Sequence, residues 1–467
     1  MRNLNFARFL KLALLIAYEY LKRNRIWLIL GLILLPLLLF AHQKFNLFYS
    51  QDSISLGLIG TYQEYDLPLE VTKLISEGLV EVETSGRIKP SLVSGWETNH
   101  DATVFKFKLK DGLKWADETN IEASDLEFSI PSTEVSFPDE RSIQFNLKEP
   151  YSPLPSLLTK PIFKKGTLIG IGPYKITKIE KSRIFITKIT LKSANPTLPI
   201  IYIRFYPNEK VAVTGFSLGE VQALLGLSNL REFSSNPRVG IKQKTDFTKI
   251  VTILFQTQDP LLKNRSLRQA LAFVTPEISG EERANNPYPP NLWAYNKDSK
   301  KYLSNPDEAA AALERAKSTL ADDKLGGELI LTATPNLEEV GKVIVGSWKN
   351  LGFDAKLRIE SGIPQNFQSL LITQSIPIDP DQYFLWHATQ TKTNLTKYDS
   401  KRVDKALEDG RKALTEEERK ISYFDFQKTL LEDAPATFLY FPKYNIVYLK
   451  KVEALLDKVL KYTPMGW

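Results

Sequence analysis

The chain has no cysteine, and only three histidines and two methionines among its 467 residues. Without cysteine there is no disulfide framework, no thiolate metal site, no cysteine nucleophile and no acyl-cysteine lipid anchor. His42, His100 and His387 lie far apart and form no H-E-x-x-H arrangement, which argues against a zinc hydrolase. No metal and no cofactor is implied. Acids and bases are nearly balanced away from one end. The first 25 residues hold Arg2, Arg8, Lys11, Lys22, Arg23 and Arg25 against Glu19, so they carry +5 of the net +7. A body at +2 has no electrostatic footprint for nucleic acid, and none is expected as a partner. At 43% hydrophobic and 25% charged, the composition is that of an ordinary globular chain long enough for two or more lobes.

One hydrophobic run stands out. Ile26 to Ala41 is uninterrupted apolar sequence between Lys22, Arg23 and Arg25 on one side and His42 and Lys44 on the other. Sixteen residues at about 1.5 Å each span about 24 Å, short of a hydrocarbon core of about 30 Å, so snorkelling flanks or local thinning complete the crossing. The basic cluster before the run places residues 1–25 in the cytoplasm and the body outside, by the positive-inside rule. A cleaved signal peptide is the rival reading. Because no small-x-small site follows Phe40, an uncleaved single-pass anchor at the cell membrane over 26–41 is expected, with a tether over 42–53. Residues 4–21, broken by Arg8, Lys11 and Glu19, suit an interfacial helix or part of a long leader.

The body divides by pattern. Thr103 to Asp111 alternates Phe105, Phe107 and Leu109 with Lys106, Lys108 and Lys110, the period of a strand with one wet face. Further β-rich runs are Ser142 to Lys148, Tyr174 to Lys192 and Ile200 to Tyr206. Later, Glu328 to Thr334, Asn336 to Leu351 and Asp354 to Ile359 read as β-α-β, followed by another apolar run, Leu370 to Ile376. Two helices follow, Lys401 to Leu414 and Glu416 to Glu432. The second opens on a Thr415/Glu418 capping box and is expected to align Ile421, Phe424 and Leu431 on one stripe. An α+β lobe over 54–248, an α/β lobe over 249–441 and a C-terminal return to the first lobe over 442–467 are expected. The apolar runs Lys249 to Phe255 and Thr437 to Phe441 are the candidate hinge.

The order of segments resembles family 5 of the extracytoplasmic solute-binding proteins, the oligopeptide, dipeptide and nickel receptors of ABC importers. The stretches that carry the likeness are Ile75 to Ser129, Gly170 to Ile176 (GIGPYKI), Phe216 to Leu227 (FSLGEVQALLGL), Ile253 to Thr275, Pro289 to Ala316 and Asp379 to Lys451. The resemblance implies a two-lobed, Venus-flytrap fold of the class II periplasmic-binding-protein type, preceded here by the transmembrane helix. It implies no enzymatic activity, a peptide or other small solute as ligand, and ABC permease subunits as partners. Two departures stand out. Ile130 to Arg141 is expected to be a short link where the family has a helical insertion, trimming the first lobe. Ile376 occupies the position where peptide receptors of the family carry an aspartate for the ligand's α-amine. Asp379 and Asp381 are therefore either substitutes for it or helix caps. Trp386, His387, Asn394 and Tyr398 fall where the resemblance puts the cleft wall of the second lobe, and Trp115 and Trp293 are further cleft candidates. For the tryptophans, ligand cover and core packing are both open readings. The alternative function is a tethered sensor or envelope interaction protein on the same scaffold, without transport.

Overall fold

The structure is a computed structural model that describes residues 52–319 and 327–464, together with Lys11 and Tyr18. Apart from Lys11 and Tyr18, the expected cytoplasmic segment, membrane anchor and all but the end of the tether lie outside the described residues. Ser53–Trp467 forms one compact unit.

Two large sheets organise it. The first has seven strands in the order Val239–Thr245, Lys443–Leu449, Ala223–Leu227, Ser53–Ile59, Ile200–Tyr206, Phe185–Lys192, Lys175–Ser182. The second has six, in the order Glu282–Arg283, Ala436–Phe441, Lys249–Phe255, Ser369–Ser375, Leu329–Ala333, Ala355–Ile359. In the second, Leu329–Ala333 and Ala355–Ile359 pair in parallel. The helix Glu338–Asn350 connects them and buries Ile344, Val345 and Trp348, a crossover that covers one sheet face.

A four-stranded antiparallel sheet, Val93–Thr98, Val104–Leu109, Ser142–Leu147 and Thr133–Asp139, forms a subdomain. Phe105, Phe107 and Leu109 point into its core, whereas Lys106 and Lys108 are exposed. The expected plain link at 130–141 is corrected here: Thr133–Asp139 is the edge strand of this sheet. Its Pro138 stands at a register shift, where a missing N–H costs no ladder bond.

The candidate hinge runs form buried strands. Lys249–Phe255 and Ala436–Phe441 pair antiparallel inside the second sheet, and their continuations Val239–Thr245 and Lys443–Leu449 pair antiparallel inside the first. The chain therefore crosses between sheets only at residues 246–248 and at Pro442 along this ribbon. The Asp246 N–H donates to the Pro442 carbonyl at 2.8 Å, and the Asp246 carboxylate receives the Thr248 N–H at 3.0 Å and pairs with Lys249 at 3.2 Å. A strand is stiff and a one-residue link is short, so bending concentrates at these crossings.

The helix Glu416–Asp433 starts on the expected box, with the Thr415 hydroxyl receiving the Glu418 N–H. Its stripe is corrected. The buried residues are Arg419, Tyr423, Phe426, Gln427, Leu430 and Leu431, while Ile421 is 73% exposed. The mixed face arises because Arg419 and Gln427 are buried with partners, which blurs the apolar periodicity. Phe426→Ala is expected to lower unfolding stability by about 3–5 kcal/mol. Ile421→Ala should change it by no more than about 0.5 kcal/mol, and urea denaturation of the two variants checks the assignment.

Candidate functional site

A cavity of about 300 Å³ lies where the four-stranded subdomain and its neighbouring loops meet the second lobe. Arg87, Trp96, Ser152 and Pro153 line it from one side, and Trp293, Asp379, Glu416 and Arg419 from the other. Direct bonds frame it. Arg87 binds Glu416 through two hydrogen bonds, Nε at 2.8 Å and Nη2 at 2.6 Å. The Trp293 N–H donates to the Ser85 carbonyl at 2.9 Å, and the Ser152 N–H donates to the Arg411 carbonyl at 2.8 Å.

Arg419 is the most connected group at the site. Its Nη1 donates to one Asp379 carboxylate oxygen at 3.0 Å and its Nη2 to the other at 2.5 Å. Nη2 also reaches the Tyr423 hydroxyl at 3.0 Å, and Nε donates to the Gly410 carbonyl at 3.0 Å. The guanidinium carbon lies 5.4 Å from the Trp293 ring centroid. Burial alone would lower the Arg419 pKa, but Asp379 and Tyr423 more than offset it and the net displacement is upward. Glu416 is held below its ordinary value chiefly by the hydrogen bonds from Arg87. The four charged groups thus neutralise one another in two bidentate pairs, and the tryptophans supply apolar area between them.

Asp381 sits two residues beyond Asp379, next to this wall. Its carboxylate receives the Tyr383 N–H at 3.1 Å and pairs with Arg411 at 3.0 Å. Arg411 in turn lies 4.1 Å from the Tyr383 ring centroid and 4.9 Å from that of Tyr151, bridging the two sides of the cleft. Burial pushes the Asp381 carboxyl up to about 6 and nearby Asp379 adds to the rise, against the pull of Arg411.

The expected site residues separate into three groups. Trp293 and Asp379 line the cavity together, with Asp381 adjacent. Trp386, His387, Asn394 and Tyr398 are all buried in the second lobe and tie its wall from behind. Trp386 donates its indole N–H to Gln382 at 2.8 Å. His387 accepts the Thr389 N–H on Nδ1 at 3.2 Å, which leaves Nε2 to donate to Glu408 at 3.2 Å. Asn394 donates to the carbonyls of Trp386, His387 and Tyr398, and the Tyr398 hydroxyl donates to Asp433 at 2.5 Å. Trp115 is apart from both groups. It is 1% exposed in the core of the four-stranded subdomain and donates to Asp125 at 3.1 Å.

Arg87, Trp96, Glu416 and Arg419 are missing from the sequence reading. For Arg419 a signal existed: it shares the helical spacing of Tyr423, Phe426 and Leu430, and a cation on a buried face requires a buried partner. For Arg87 there was none, since its partner Glu416 is hundreds of residues away, and Trp96, stacked on Phe107 of the next strand, reads locally as core packing. One spacing match also escaped that reading, the nucleophile-elbow pattern Gly215-Phe216-Ser217-Leu218-Gly219. It ends the helix Glu209–Ser217 rather than joining a strand to a helix, and the Ser217 hydroxyl is spent on the Val213 carbonyl at 3.0 Å.

Comparison with known proteins adds the following. The family model for bacterial extracellular solute-binding proteins, family 5 (middle), matches residues 87–395. The chain is 23% identical to the oligopeptide-binding protein AppA of Bacillus subtilis, over 84% of this chain and 85% of that one. It is 21% identical to the probable D,D-dipeptide-binding periplasmic protein DdpA of Escherichia coli, over 83% and 88%. Among solved structures, NikZ from Campylobacter jejuni in complex with Ni(L-His) superposes with a TM-score of 0.68 at 22% identity, over 86% of this chain and 94% of that one. The shared fold is the two-lobed α/β architecture.

Two outcomes test the charges. Asp379→Ala strands the buried Arg419 cation and is expected to cost about 3–5 kcal/mol, most of which Asp379→Ala/Arg419→Met should recover. Equal losses in the single and double variants contradict this. For Asp381, a folded pKa of about 6 against an ordinary 3.8 means that folding takes up a proton. Its contribution is full below about pH 4 and is lost as pH rises through about 6. The melting temperature of the native chain should therefore fall relative to Asp381→Asn across that window, and a constant difference contradicts it.

Proposed function

The chain belongs to the bacterial extracellular solute-binding proteins of family 5, and from that premise we propose that it is a membrane-anchored receptor that captures short peptides between its lobes for an ABC permease. The family consists of substrate-binding proteins of ABC importers, not enzymes, and its members work outside the cytoplasm. The observation that carries the reading is the cavity itself: both sides contribute a tryptophan and a charged group, so a solute bound there contacts both lobes. Only the closed form makes both sets of contacts, so binding favours closure. Lobes over 54–248 and 249–441, with 442–467 returning to the first, are the division we adopt, supported by the membership of the strands in the two sheets.

Peptide is the proposed class because the two curated relatives named above are an oligopeptide-binding and a probable D,D-dipeptide-binding protein and because extended main chain can be held largely by backbone groups. Ile376 offers no amine anchor, and its own N–H is bound to the Thr248 carbonyl at 2.8 Å. Asp379 has Arg419 as its partner. The proposed recognition is therefore an exchange in which a zwitterionic ligand places its carboxylate on Arg87 and its amine on Glu416, with apolar side chains against Trp96 and Trp293. At about 300 Å³, the lower end of the range for ligand pockets, the cavity favours a short ligand. The anchor over 26–41, with its cytoplasmic N-terminus, belongs to this proposal and rests on the apolar run and the basic flank before it.

Native mass spectrometry of the full chain, extracted gently from its host membrane, should release peptides of narrow length distribution. Tryptophan fluorescence titration with the released species should saturate, and Trp293→Ala should weaken binding by about tenfold or more. A protein that carries nothing, and whose melting temperature no peptide raises, would move the assignment to the sensor or interaction reading.

A further inference from the structure

The outer hairpin of the first sheet carries features that solute binding does not use. Lys175–Ser182 and Phe185–Lys192 pair as an antiparallel hairpin, with Lys175–Ser182 as the edge strand. Residues 175–192 hold Lys175, Lys178, Lys181, Arg183, Lys188 and Lys192 against a single acid, Glu180. By contrast, residues 53–149 hold eighteen acids against nine bases, so the first lobe is strongly polarised. Two of the cations are locally paired, Lys178 with Glu180 and Lys181 with Glu64, both at 2.8 Å. Among the described residues no acid lies within ion-pair distance of Lys175, Arg183, Lys188 or Lys192.

The tip of the hairpin is apolar and exposed. Ile184 is 60% and Phe185 41% accessible. Tyr62 bridges to Ile186 and Glu64 to Lys181, which brings Tyr65, 82% accessible, alongside. The turn is also built against its own preference: Arg183 adopts φ 57°, where glycine or asparagine is the usual choice, and a β-branched isoleucine follows. Lysines on an edge strand protect it from pairing with other chains, and this accounts for Lys175, Lys178 and Lys181. It does not account for isoleucine, phenylalanine and tyrosine at the tip, which edge protection would exclude.

An aromatic and aliphatic tip with the unpaired Arg183 in its turn, at the end of a hairpin whose two strands carry five further cations, matches an anionic bilayer surface, with the tip side chains entering the headgroup layer and Arg183 meeting lipid phosphates. We propose that the 175–192 hairpin is a membrane-docking element that seats the receptor on anionic phospholipid. The hairpin's own chemistry carries this. The anchor reading enters only by raising the local concentration of lipid near the hairpin.

Because the chain has no cysteine, Ser182→Cys creates a unique thiol for an environment-sensitive fluorophore beside the tip. The labelled full chain is reconstituted in nanodiscs of phosphatidylcholine alone or with about a third phosphatidylglycerol, the range in which polybasic elements respond to surface charge. The expected result is a blue-shifted emission, quenched by lipid-borne quenchers, in the anionic discs only. Arg183→Glu should weaken it by about fivefold per unit of charge changed, and Lys317→Glu in the helix Pro306–Lys317 of the second lobe should not. Water-like emission in both disc types, or an equal shift in both, overturns the proposal. Co-migration of the chain with the discs reports the anchor separately, so a docked chain with a water-exposed tip refutes the hairpin and leaves the anchor standing.

Discussion

The buried pair between Arg419 and Asp379 holds the second lobe's half of the cleft together. One guanidinium joins the acidic loop at 379, the end of the helix Lys401–Lys412 through the Gly410 carbonyl, its own helix through Tyr423, and the face of Trp293. A buried charge of this kind is a poor source of net stability, since desolvation consumes much of its Coulombic gain. What it provides is geometry. With Asp379 fixed, Asp381 is fixed two residues on, and with it Arg411 and the aromatic rings that Arg411 faces from both sides of the cleft.

The second constraint is topological. Two antiparallel strand pairs, one in each sheet, are continuous across crossings at residues 246–248 and at Pro442. Each sheet is locked by its own buried cluster. Any relative motion of the lobes would fall on these few residues, and the direct bonds between the two sides of the cavity are those of Arg87 with Glu416, Ser85 with Trp293, Thr84 with Asn291, and Ser152 with Arg411. These contacts are few and polar, the kind of interface that opens and closes at modest cost.

Much of the architecture was legible in the sequence because it rests on local rules. The Phe105/Phe107/Leu109 alternation, the β-α-β unit around Glu338–Asn350 and the Thr415/Glu418 box are visible without a structure. The ordered run of family-like segments carried the fold. Ile421 looked like core until Arg419 and Gln427, held by partners elsewhere in the chain, took the inner face. The strand Thr133–Asp139 was missed for a local reason: Pro138 interrupts the run just before the hairpin that pairs it with Ser142–Leu147. At the site, Asp379 was legible from its position in the Asp-Pro element. Trp386, His387, Asn394 and Tyr398 were legible as a group, but they stand behind the wall that Trp293 and Arg419 present.

The proposed solute site lies between Arg87 and Trp96 on one lobe and Trp293, Glu416 and Arg419 on the other. A crystal structure of the chain loaded with the solute that co-purifies with it tests this most directly. Density is expected within hydrogen-bond distance of both Arg87 and Glu416, with those two side chains no longer bonded to each other. Solute elsewhere on the molecule, or touching one lobe alone with the Arg87–Glu416 pair intact, contradicts it.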